Sequence, residues 1–122
     1  MVEPVDLAAL IQALDVPETA DDSTPERLAF SVGGKGFAWT YLERVAAKKP
    51  RVPRIAVLAV RCPIERKEML IEAAPGVFFD DDHYCGYPAV LTRLAAVEAV
   101  ELSALLREAW RLSAPKRLLK PG

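Results

Sequence analysis

The sequence has no apolar stretch that could cross a bilayer. A spanning helix needs roughly 20 apolar residues, and runs such as residues 55–60 stop far short of that. No membrane association is expected. Positive charge is missing from the start of the chain, where Glu3 and Asp6 precede the first base, Arg27, so the basic opening and apolar run of a secretory signal are absent. The expected address is the cytoplasm. Cysteine is scarce: Cys62 and Cys85 form neither a CxxC pair nor a secreted-type framework, and reduced thiols are expected. Histidine is scarcer, with His83 alone. A nucleophilic site needs a base and an orienting acid. The one imidazole lies two residues from Cys85 with no GxSxG signature, so no enzyme is expected.

What is present suits one domain over residues 1–122. A chain of 122 residues with 52% hydrophobic side chains buries enough apolar surface to fold without metal or disulfide. The net charge is −1, but it is blocked along the chain. Residues 1–26 and 62–101 are acidic, whereas 27–61 and 102–122 are basic. A near-neutral total argues against a strongly basic nucleic-acid binder, and the blocks argue for local charge steering.

Periodicity supplies the elements. Leu7, Leu10, Ile11 and Leu14 recur at helical spacing, with Pro4 and Asp6 in the first turn and Pro17 as the stop. Residues 18–25 are polar and turn-rich and predict a loop. Leu28, Phe30 and Val32, then Phe37, Trp39 and Tyr41, alternate about Gly33, Gly34 and Gly36, which predicts a β-hairpin. Residues 54–61 predict a mid-sheet strand. Pro63 followed by Met69, Leu70, Ala73 and Ala74 frames a second helix. Residues 77–79 and 89–94 predict two further strands, and Leu102, Leu105, Leu106 and Ala109 mark the buried stripe of a last helix. The tail from residue 114 is expected to fray. The class is therefore α+β: an antiparallel sheet of about five strands with flanking helices, in the order α-βββ-α-ββ-α.

Three local features bear on function. The glycines around Lys35 match neither GxxxxGK[ST] nor GxGxxG, and they predict a hairpin turn needing positive φ rather than a phosphate cradle. Asp80, Asp81, Asp82, His83 and Cys85 are all metal-ligating types, yet without CxxC, HExxH or an EF-hand loop the expectation is a solvated acidic turn, with no metal and no cofactor. Lys35, Arg44, Lys48, Lys49, Arg51 and Arg54, with Arg107, Arg111, Lys116 and Arg117 later, are candidate phosphate contacts if they share one face. The alternative is a cleft near His83, Tyr84 and Tyr87 for a small molecule or a protein, without catalysis. Trp39, Tyr41, Tyr84 and Tyr87 would stack bases if exposed, although alternating aromatics in a hairpin are more often core.

Four blocks carry a resemblance: Glu18-Thr19, AFSVGGKGFA over residues 29–38, HYCGYPAV over 83–90, and EAWRLSAPKRL over 108–118. In order and spacing the chain resembles the YjbR-like (MmcQ/YjbR) family of small bacterial proteins, over about residues 5–120. The resemblance implies a CyaY-like fold, similar to frataxin-type sheets. It also implies DNA binding through a double-wing arrangement in a non-enzymatic protein. Separately, the chain is expected to act as a monomer. The acidic total and the triple Asp80 to Asp82 depart from a DNA binder's pattern.

Overall fold

A computed structural model describes residues 1–46 and 48–119. Pro4–Asp6 forms a 3-10 turn, held by reciprocal capping between Glu3 and Asp6, and runs into helix α1, Leu7–Ala13. Leu7, Ile11 and the following Leu14 are buried, as their spacing requires. The next segment, expected to be a loop throughout, instead supplies a short strand β1, Thr19–Asp21, antiparallel to β2, Ala29–Val32. Its sequence has no strand pattern; pairing with the otherwise open edge of β2 gives it its conformation.

Strands β2, β3 (Lys35–Glu43) and β4 (Val52–Arg61) form the expected antiparallel meander. Helix α2, Ile64–Ala73, leads to β5, Phe78–Phe79, and β6, Ala89–Arg93. Helix α3, Ala99–Ser113, and a short α4, Lys116–Leu119, end the described chain. The single sheet has the order β1-β2-β3-β4-β6-β5, six strands with β4 inside it as predicted. Gly33 and Gly34 adopt φ of 56° and 81°, the positive values the hairpin turn demands. A Cβ on Gly33 would come within 2.8 Å of Pro115, so the turn also abuts the α3–α4 link.

The tail is more ordered than its composition suggests. Arg117 makes a two-pronged ion pair with Glu18 at 2.6 and 2.9 Å, and Leu118 packs against the core. Residues 120–122 lie outside the described residues. Among the described residues no helix is long and apolar enough to cross a membrane.

Both sheet faces carry apolar packing. Between the helices and the sheet lies the larger core, including Leu7, Phe30, Val32, Leu58, Val60, Val90, Leu102, Leu106 and Trp110. Alternation sends Ala59 and Leu91 to the opposite face, where they join Tyr41, Tyr84 and Ala89 in a smaller cluster without a helical residue. A bulge sorts the β3 aromatics between these cores. Phe30 pairs with Ala38 but Ser31 pairs with Gly36, which leaves Phe37 as an extra residue. Phe37 and Ala38 therefore both face the helices, while Trp39 and Tyr41 turn to the other side. Strict alternation would have placed Phe37, Trp39 and Tyr41 together.

Candidate functional site

The connection between β5 and β6, residues 80–88, folds back over the small cluster and becomes its roof. Its anchor comes from α2. Lys67 is 2% exposed and shares one stripe with Leu70, Ile71 and Ala74, while Met69, expected to help frame the helix, is 61% exposed. The Lys67 ammonium donates to the carbonyl oxygens of Tyr84 at 2.6 Å and Tyr87 at 3.0 Å, and it meets Asp80 Oδ1 at 3.0 Å. Three partners answer its three N–H donors, so the buried charge is satisfied.

Asp81 is the second fastener. One carboxylate oxygen accepts from the Tyr41 hydroxyl, and the other accepts from the Tyr84 backbone N–H at 2.7 Å. The expectation of a solvated acidic turn is thus corrected: Asp80 and Asp81 are half-buried and bonded, and only Asp82 is exposed. The reason is topological, since closing the loop onto the sheet brings these carboxylates against Lys67 and Tyr41.

The roof and sheet together make an aromatic cleft. The Trp39 indole N–H donates to the Tyr84 hydroxyl at 3.0 Å. Tyr84 meets Tyr41, Tyr87 and His83 edge-to-face, at centroid separations of 5.8, 5.9 and 5.3 Å. An open cavity of about 310 Å³ is lined by Trp39, His83, Tyr84 and Tyr87. Burial pushes the Tyr41 and Tyr84 phenols above the ordinary value, and for Tyr41 the Asp81 carboxylate adds to the effect. Both hydroxyls stay neutral over the physiological range and act as hydrogen-bonding groups. Two arginines border the site: Arg51 approaches His83 Nδ1 at 3.3 Å, and the Arg61 guanidinium carbon lies 5.4 Å from the Trp39 ring centroid.

A sequence model of the YjbR family matches residues 14–112. The chain belongs to the YjbR family. Uncharacterized proteins of Mycobacterium tuberculosis and Mycobacterium bovis are 37% identical to it over 125 residues, covering 94% of this chain and 91% of theirs. The crystal structure of a Deinococcus radiodurans protein with a DUF419 domain is similar at a TM-score of 0.66 and 25% identity, over 92% of this chain and 78% of that one. It shares the α+β architecture.

In this YjbR domain the candidate cations are spread over several elements. Lys35 opens β3 beside the turn that abuts Pro115, near the α4 that carries Lys116 and Arg117. Arg44, Lys48 and Lys49 follow the far end of the same strand, and nine extended residues separate the two ends by roughly 30 Å. Arg107 and Arg111 lie on α3, in the helical layer. Arg54 is bound to Glu43 at 2.7 Å, and Arg117 to Glu18. His83, Tyr84 and Tyr87 line one cavity together with Trp39. Cys85 is exposed on the same loop, and Cys62 is buried. Among the described residues no three His, Cys, Asp or Glu side chains cluster as metal ligands would.

Lys67 and Arg61 were not singled out from the sequence, and Trp39 was not placed in the cleft. Lys67 had a legible signal, a lysine at the head of the stripe continued by Leu70, Ile71 and Ala74. Arg61 had none, since at the end of an apolar strand it resembles an ordinary solvated flank.

Proposed function

We propose that this YjbR domain is a non-catalytic, monomeric, cytoplasmic binding protein whose ligand enters the cleft of Trp39, His83, Tyr84 and Tyr87. One observation carries the reading: a nine-residue connection, residues 80–88, is fastened by a buried lysine and a doubly bonded aspartate so that aromatic edges and faces stand around an open cavity. Pre-formed aromatic walls with a few polar groups are the usual make-up of a small-molecule site. Absence of catalysis is supported by His83, whose side-chain partner among the described residues is Arg51 rather than an orienting carboxylate. The test is a fragment screen read by NMR on the Trp39 indole N–H, in which cleft residues should respond together. A screen in which no fragment moves them would remove the reading.

A second reading, DNA binding, is supported by one observation. Arg44, Lys48, Lys49 and Arg51 lie on the single β3–β4 connection, the first three exposed, and among the described residues none of the four is in an ion pair. Phosphate contacts there would make affinity fall steeply with salt, and replacing Lys48, Lys49 and Arg51 together would flatten that dependence. Titration against duplex DNA, single-stranded DNA and RNA at several salt concentrations checks this; binding that ignores salt would count against it.

A further inference from the structure

We propose that Arg61 is the anion-recognising residue of the cleft and that its ligand is a small planar aromatic acid. This rests on the cleft reading above and specifies the chemistry that the cleft accepts. Arg61 ends β4 and is half-buried. Its Nε–H donates to the Gly36 carbonyl oxygen at 2.9 Å, which pins the guanidinium in place. The guanidinium carbon then sits 5.4 Å from the Trp39 ring centroid and 5.9 Å from that of Tyr87.

Among the described residues, that carbonyl is its one hydrogen-bond partner, and no carboxylate lies within ion-pair distance. Arg54 and Arg117, both more exposed, each have a carboxylate. A guanidinium partly withdrawn from water without a counter-ion is unfavourable, and its fixed fork of two remaining amino groups matches a carboxylate's two oxygens.

The position of the charge selects among ligands. A cation would be repelled by Arg61 from the ring faces it already covers. A neutral arene would fill the cavity and leave the guanidinium unpaired. Arg61 adjoins both rings from the rim of the cavity, whose lining is Trp39, His83, Tyr84 and Tyr87, so an acid group attached directly to the ligand's ring system is the one that reaches it. A nucleotide holds its phosphate a ribose away from its base and fits less well. The cavity of about 310 Å³ suits one or two fused rings.

The test titrates the full chain with indole-3-carboxylate, its uncharged counterpart indole-3-carboxamide, and adenosine 5′-monophosphate, read on the Trp39 indole and Arg61 Nε resonances. The carboxylate should bind about 10- to 100-fold more tightly than the carboxamide, the range expected for charge-assisted hydrogen bonds. Arg61→Gln should erase that preference, so that acid and amide bind the variant equally, and Arg61→Lys, which keeps the charge but loses the fork, should fall between. Equal affinity for acid and amide, or a preference that survives Arg61→Gln, overturns the role of Arg61 and leaves the cleft standing. Tighter binding of the nucleotide overturns the aromatic-acid class. If no compound shifts Trp39, the cleft reading falls along with the proposal.

Discussion

The Trp39 indole N–H and the Tyr84 hydroxyl, 45 positions apart in sequence, meet at 3.0 Å and join the sheet to its roof. Tyr84→Phe removes the acceptor and leaves the ring in place. The expected cost is about 1 kcal/mol, the net worth of an ordinary hydrogen bond. Faster hydrogen exchange at the Trp39 indole N–H should accompany it. Unchanged exchange and an unchanged denaturation midpoint would show that the bond does not form in solution.

Lys67 holds the same roof from beneath. Lys67→Met preserves the stem but leaves Asp80 and two carbonyl oxygens without their donor, at a cost of roughly 2–4 kcal/mol. Urea denaturation measures the loss, and backbone NMR should show residues 80–88 altered more than the helical layer. A loss below about 0.5 kcal/mol, the scale of an ordinary surface substitution, would mean that the loop closes without its lysine.

The two cysteines should react very differently. Burial pushes the Cys62 thiol up to about 11, whereas Cys85 is exposed. Iodoacetamide at pH 8 should label Cys85 alone in the native protein and both residues after unfolding, which mass spectrometry of peptides resolves. The sign on stability follows. A raised folded value means that the stabilisation is complete below the ordinary 9.0 and is lost as pH rises through about 11. Native labelling of Cys62 at pH 8 would contradict its burial.

Glu18 and Arg117 fix α4 to the segment leading into β1. The Arg117 hydrogen bonds hold the Glu18 carboxyl below its ordinary 4.5. A depressed value means that the stabilisation is present above 4.5 and is lost as pH falls through the lower folded value. Thermal unfolding of the native chain and Glu18→Gln should therefore differ slightly at pH 7 and converge in acid. Both residues are exposed, so added salt should shrink the difference too. A gap that persists at low pH would assign it to something other than this pair.

Much of the architecture was legible because local rules and tertiary packing agree there. Leu7, Ile11 and Leu14 show helical spacing and are buried; Leu102, Leu105 and Leu106 do the same in α3. The glycine turn was readable from its need for positive φ. β1 was not, because Thr19, Ala20 and Asp21 have no strand pattern and take their conformation from pairing with β2. The site was half legible. His83, Tyr84 and Tyr87 stood out as a cluster, but a bulge at Phe37, invisible to alternation, decides that Trp39 joins them.

The sequence by itself determined the α+β class, the meander and the helix stripes, since these follow from residue spacing within short windows. Only the tertiary structure decided how far apart the cations lie and that Lys67 goes inward. It also decided that Arg61 rests without a counter-ion against two aromatic rings. Charge, unlike apolar periodicity, acquires meaning from neighbours that are remote in the chain. Which carboxylate a lysine or arginine meets is set by the folding-back of a loop, and no local pattern encodes that pairing.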